Sequence, residues 1–103
     1  MKESDLIKLI QLEASRHGAV LFRNSVGFFK QGNRAIRYGL CVGSSDLIGW
    51  TASGRFLAVE VKTGLLKLTS EQSNFIEQVN IHGGIAICAR TVQDVIDILK
   101  NKV

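Results

Sequence analysis

No apolar run in this 103-residue sequence is long enough to span a bilayer, which excludes a membrane-spanning helix. The opening Met1-Lys2-Glu3-Ser4-Asp5 lacks the pattern of a secretory signal. Cysteine is scarce: Cys41 and Cys88 lie far apart, without metal-type spacing, and are expected to be reduced structural thiols. His17 and His82 stand alone, so no His/Cys cluster competes for a metal; they are expected at a helix end and in a turn. There is no proline, and there is no internal repeat, linker or low-complexity tract. The run Gly39-Leu40-Cys41-Val42-Gly43 fits neither the Rossmann nor the P-loop pattern, which sets a nucleotide loop aside. A single cytoplasmic domain with no membrane partner is the expectation.

A hydrophobic content of 46% argues against disorder, and the length suits one domain with a modest core. The organising stretch is Phe56-Leu57-Ala58-Val59-Glu60-Val61-Lys62, which reads as a strand with both faces apolar before Glu60 and hence as internal to a sheet. Phe56, Ala58, Glu60 and Lys62 share one face; Leu57, Val59 and Val61 share the other. A second short strand from Asp46 to Trp50 precedes it. With Ala52-Ser53-Gly54 as the loop and Gly54 at positive φ, the two form a hairpin in which Trp50 faces Phe56 and Asp46 faces Glu60. Opposed like charges are destabilising. Two carboxylates held beside a lysine therefore point to a divalent cation, for which Mg²⁺ chemistry is the simplest fit. The competing interpretation is a solvated Glu/Lys pair at a strand end. Net charge is +4, from 13 basic and 9 acidic residues; an acidic site leaves the remaining surface more basic still, as suits a polyanion handled through a metal.

The spacing predicts a first helix from Asp5 to His17, with Ser4 as N-cap and Gly18 ending it. Leu6, Leu9, Ile10 and Glu13 lie on one stripe that Glu3 continues backwards, so Glu3 and Glu13 are both candidates to point at the sheet. A strand at Ala19–Arg23 follows, then an irregular stretch from Asn24 to Asn33, with Arg34–Gly39 extending it as a ribbon. Arg23, Lys30, Arg34 and Arg37 are mixed there with Phe28, Phe29 and Tyr38, the material of a nucleic-acid-facing loop or of core aromatics with solvated charges. Thr69-Ser70-Glu71-Gln72 fits a capping box, and Gln72 shares a stripe with Phe75, Ile76 and Val79. His82-Gly83-Gly84 stops that helix. Ile85–Ala89 reads as a buried strand, and a last helix after Thr91 buries Val92, Val95, Ile96 and Leu99. The order is an α/β sandwich around a mixed sheet.

Asp46 followed by Glu60-Val61-Lys62 resembles the Asp…Glu-x-Lys signature of the PD-(D/E)xK nucleases, with Ser45-Asp46 where the family name has Pro-Asp. The wider string is similar to the VRR-NUC (virus-type replication-repair nuclease) family. It comprises Glu3, Arg23-Asn24-Ser25-Val26-Gly27, Gly43-Ser44-Ser45-Asp46-Leu47-Ile48-Gly49, Glu60-Val61-Lys62, Leu68-Thr69-Ser70-Glu71-Gln72 and Gly83-Gly84. The resemblance is to stand-alone, phage-type members, and implies one nuclease domain over 1–103 with a restriction-endonuclease-like α/β/α sandwich and central mixed sheet. It also implies a bacterial or phage-infected host cell. Asp46 and Glu60 would hold Mg²⁺ or Mn²⁺, with the Val61 carbonyl as a further ligand and Glu3 completing the site, Glu13 being the reserve. Lys62 would orient or deprotonate the attacking water, and Gln72 matches the family's helical glutamine. Such a cation polarises the phosphate and lowers the pKa of bound water. For DNA contact the resemblance and the basic stretch single out Arg23, Asn24, Ser25, Lys30, Arg34, Arg37, Ser44 and Ser45.

The same resemblance implies hydrolysis of DNA at branches such as Holliday junctions or flaps, and a homodimer whose contact the apolar 28–42 region would supply. A general or restriction-like DNA nuclease shares the site but would cut linear duplex. A non-catalytic DNA-binding module on the same fold is the third possibility, against which the intact Asp46, Glu60, Lys62 and Gln72 stand.

Overall fold

The computed structural model describes residues 1–102. In chain order its elements are α1 (Glu3–Arg16), β1 (Val20–Arg23), β2 (Gly27–Gln31), β3 (Arg34–Tyr38), β4 (Leu47–Trp50), β5 (Phe56–Val61), α2 (Ser70–Ile81), β6 (Ile85–Ala89) and α3 (Val92–Lys102). Four strands make a mixed sheet in the order β1-β4-β5-β6, antiparallel except for the parallel β5–β6 pair. β5 is an interior strand, as its two apolar faces require: every residue from Leu57 to Val61 is buried. The parallel pair needs a crossover, and α2 provides it.

Alternation along β5 sorts the layers. Leu57, Val59 and Val61 join Leu21, Leu47, Ile85 and Ala89 in one core with Leu6, Ile7, Ile10 and Ala14 of α1 and Val95 and Leu99 of α3. The opposite face carries Phe56, Ala58 and Glu60, and there α2 packs over β5 and β6, with Phe75 and Val79 beside Phe56. This is the mixed α/β layering expected from the sequence. Among the described residues no helix is long and apolar enough to cross a membrane.

Two local expectations are corrected. α1 begins at Glu3, two residues before the expected Asp5, and Lys2 rather than Ser4 is its N-cap, with no side-chain cap bond. Glu3 and Asp5 in the first turn serve the helix dipole instead. The stretch Asn24–Asn33 is not irregular throughout: β2 lies within it and pairs with β3 around the Gly32-Asn33 turn, where Gly32 has a φ of +63°. Among the described residues this ribbon pairs only with itself. The radius of gyration is 14.0 Å, above the roughly 13 Å of a compact chain of this length.

Gly49 lies in β4 between two paired strands. A Cβ there would overlap the Val20 carbonyl oxygen and come within 2.7 Å of its carbonyl carbon. Gly49→Ala should therefore cost about 1–3 kcal/mol of stability, read as a lower denaturation midpoint; an unchanged midpoint would show that β1 yields freely.

Candidate active site

The hairpin register pairs Leu47 with Val59 and Trp50 with Phe56, so the position before β4, Asp46, stands opposite Glu60. Gly54, with a φ of +89°, turns the hairpin at the expected place. Asp46 is tied to both neighbouring strands. Its carbonyl accepts from the Asn24 N–H at 2.7 Å, and its Oδ2 accepts from the Val61 N–H at 2.9 Å.

Glu60 is 3% exposed, and its Oε1 is buried without a hydrogen-bond partner. Its Oε2 lies 3.7 Å from Lys62 Nζ and accepts from Gln72 Nε2 at 3.2 Å. Gln72 does two things at once. Its Oε1 accepts from the Thr69 N–H at 2.9 Å, closing the capping box, while its amide nitrogen turns to Glu60. Capping and site roles, alternatives in the sequence, are served by the two ends of one amide. Burial first, then the Asp46 carboxylate, push the Glu60 carboxyl up to about 7, against a smaller opposing pull from Lys62. A buried carboxylate with an orphaned oxygen facing a second carboxylate fits a cation that would use both. Among the described residues no third acid joins them, so the protein offers a carboxylate pair and not a closed cage.

A cleft of ≈ 460 Å³ opens on this pair. Arg23, Asn24, Ser25 and Ser44 line it, as do Asp46, Glu60 and Gln72. Three residues read as DNA-facing are used internally. The buried Asn24 donates from Nδ2 to Ser44 Oγ at 2.7 Å and to the Ser45 carbonyl at 2.9 Å, and its Oδ1 accepts from the Leu40 N–H at 3.0 Å. Ser44 Oγ in turn donates to the Cys41 carbonyl at 2.7 Å. Ser45 is fully buried with its hydroxyl unpartnered. Together they fix the 39–46 loop that delivers Asp46. Gly43, φ +86°, lets that loop touch the first turn of α2, where a Cβ would sit 2.6 Å from the Glu71 carbonyl oxygen. The Gly39–Gly43 run, set aside as a nucleotide loop, is thus a connector whose two terminal glycines make close backbone approaches while Leu40, Cys41 and Val42 are exposed. Thr69 and Glu71 also line the cleft and were not singled out as site residues in the sequence; their position follows from this contact.

The remaining acids separate. Glu3 is exposed in the first turn of α1 and lines neither the cleft nor the neighbouring pocket in which Leu6 meets Thr63 and Gly64. Glu13 bonds Arg16 at 2.8 Å. It sits near the end of α1 where Gly18 meets Ala52 of the hairpin loop, at the end of β5 away from Glu60, which removes it as the reserve. On the ribbon, Lys30 and Arg37 share a face with Phe28, while Arg34 lies on the other face with Phe29 and Tyr38. Both cysteines are free thiols; burial pushes the Cys88 thiol up, as suits an inert structural residue.

Because the folded chain holds the Glu60 proton more tightly than the unfolded chain, whose value is near 4.5, this contribution to stability is full below that pH and is lost as pH rises through about 7. In EDTA the melting temperature should fall between about pH 5 and about pH 8, and Glu60→Gln should flatten that fall. Equal slopes for the two proteins would place the Glu60 titration elsewhere.

The VRR-NUC domain family model matches residues 3–93. A solved structure described as a VRR_NUC domain superposes with a TM-score of 0.67 at 17% identity, covering 98% of this chain and 97% of that one, a likeness of fold. No match to a curated protein was found. With a family match that spans most of its length, the chain belongs to the VRR-NUC family and has a nuclease-type function.

Proposed function

We propose that this chain is a metal-dependent DNA endonuclease selective for branched DNA, including four-way junctions and flaps, and that it works as a symmetric dimer. The observation that carries the metal-dependent chemistry is Glu60, a carboxylate buried opposite Asp46 with one oxygen unpartnered. Asp46 and Glu60 would hold Mg²⁺ or Mn²⁺, with the Val61 carbonyl as a further donor and Glu3, outside the cleft, acting only through water. When bound, the cation supplies charge that polarises the phosphate and activates water. The chain's own residues do the rest. Gln72 holds the Glu60 carboxylate in place, and the Val61 N–H does the same for Asp46. Lys62, 16% exposed and next to Glu60, is placed to orient the attacking water and to offset the charge gathering on the phosphate. Arg23 and Ser25 on the cleft, with Lys30, Arg34 and Arg37 on the ribbon, supply phosphate contacts.

Support for the dimer comes from apolar surface. Phe22 and Trp50, 54% and 48% exposed, lie on the sheet face that carries Glu60, with Phe56, 40% exposed, between them and α2, and the ribbon adds Phe28 at 63%. The Phe22 and Trp50 rings lie 5.6 Å apart, and exposed apolar surface of this kind marks an interaction site. A two-fold pair would present two sites to one branch.

Labelled duplex, flap and four-way junction, each with Mg²⁺, Mn²⁺ or EDTA, test the activity. Cleavage should need the metal and should favour the branched forms; equal cutting of linear duplex would give the general-nuclease alternative. Asp46→Asn and Glu60→Gln should abolish cleavage with the fold intact, since Asn can still accept from the Val61 N–H. Lys62→Ala should lose turnover by about 10²-fold or more while DNA binding persists; loss of binding in step with rate would make Lys62 a phosphate clamp. Binding without any cleavage would identify a DNA-binding module.

Phe28→Asp should yield a monomer with an intact site and a lost preference for junctions, because a buried unpaired carboxylate is enough to dissociate a small interface. Size-exclusion chromatography and junction cleavage on one sample check this. A wild-type monomer that already selects junctions would sink the dimer.

A further inference from the structure

The loop between Lys62 and α2 carries the most exposed large apolar side chain of the described residues. Leu65 is 97% exposed, and Leu66 beside it is 58% exposed. Single exposed leucines are ordinary, but this one stands on a fixed turn. Gly64 takes a φ of +60°, and the Leu66 N–H donates to the Thr63 carbonyl at 3.4 Å. The carbonyls on either side of Leu65 are both held by one guanidinium: Arg90 Nη1 donates to Gly64 at 3.2 Å and Nη2 to Leu66 at 2.6 Å. Arg90 is fixed in its turn, because its N–H donates to Asp94 Oδ2 at 2.9 Å in the first turn of α3. The backbone on both sides of Leu65 is thereby pinned while its side chain is given no protein to pack against.

Both ends of this loop enter the site. At one end Lys62 lies beside Glu60, and its N–H donates to the Ala89 carbonyl at 3.1 Å. At the other, Thr69 caps the helix whose Gln72 holds Glu60. A phosphate engaged there would put the neighbouring base step within reach of the loop, with the exposed Lys67 available for the next phosphate. Apolar side chains inserted between base steps unstack them, and the penalty is smallest where pairing is already broken.

We propose that Leu65 is an apolar wedge set against the weakly stacked bases of a DNA branch point, and that Arg90 is the positioning residue that holds it out. This rests on the DNA-nuclease reading above and adds to it the element that recognises a branch. Selectivity for branched DNA then has a local source in each protomer, in addition to the spacing of two sites.

The test uses 2-aminopurine, whose fluorescence rises on unstacking, placed at the branch of a flap or four-way junction and, as control, in the duplex arm. The full-length protein is added with Ca²⁺ in place of Mg²⁺, so that binding is read without cleavage. Wild type should raise the signal at the branch and not in the arm. Leu65→Ala should remove most of that rise, Leu65→Met should keep it, and Arg90→Ala should weaken it while Arg90→Lys restores part. With Mg²⁺, the ratio of branched to linear cleavage should fall by about tenfold in Leu65→Ala. A branch signal that is the same in wild type and Leu65→Ala at saturating protein would overturn the wedge, whether or not the protein cuts DNA. A shift of Leu65→Ala from dimer to monomer in size-exclusion chromatography would also overturn it, by assigning Leu65 to a contact between copies. Failure of wild type to cut any DNA with Mg²⁺ or Mn²⁺ would defeat the nuclease reading on which the wedge rests, and is told apart from failure of the wedge by the Ca²⁺ fluorescence.

Discussion

A carboxylate almost wholly removed from water is expensive to ionise, and the structure around Glu60 is built to keep one there. The residue occupies the last-but-one position of an interior strand, where neither face can turn it out to solvent. Its companions come from three directions: Asp46 across the hairpin, Lys62 two residues on along the same strand face, and Gln72 from the helix above. None of these satisfies the second oxygen. The site is therefore a charge imbalance held rigidly in place, and burial together with the facing Asp46 raises the Glu60 carboxyl to about 7. Anything that brings positive charge to that oxygen relieves the imbalance.

The rigidity is assembled from secondary-structure detail. Hairpin register sets Asp46 against Glu60, and the buried Asn24–Ser44–Ser45 set fixes the loop that enters β4. The capping box fixes the rotation of α2 at the turn that carries Gln72. Because the capping oxygen and the site nitrogen belong to the same amide, helix start and carboxylate orientation are coupled, and moving one moves the other. Arg90 extends the same economy to the far end, joining β6 and α3 to the loop that leaves Lys62.

Much of this was legible in the residues. Alternation from Phe56 to Lys62 and the turn at Gly54 were enough to pair Asp46 with Glu60, because strand register depends only on loop position and the two-residue period. The helix start at Thr69 was equally explicit. What could not be read was whatever depends on tertiary direction. Asn24, Ser44 and Ser45 are polar in sequence, and only folding shows the bonds Asn24 makes to Ser44 and to the Ser45 carbonyl. Glu3 and Glu13 looked equivalent as helix-face acids. Helix length separates them, since ten residues of rise is about 15 Å and carries Glu13 to the opposite end of the sheet. Whether Phe28, Phe29 and Tyr38 were core aromatics or a surface was open in the sequence, and only the ribbon's separation from the main sheet leaves them exposed.

The ribbon of β2 and β3 differs in kind from the rest. Its residues are nearly all exposed, it shares no ladder with the main sheet, and the core contains none of its side chains. A lone two-stranded ribbon is marginal in water, so its hydrogen bonds report a local equilibrium and those of β5 report the global one. Amide exchange should divide along that line, with fast opening from Gly27 to Tyr38 and slow opening under α2. Whatever surface this arm meets, part of the interaction free energy goes to ordering it. Its grip should therefore weaken with temperature well before the carboxylate pair loses its shape.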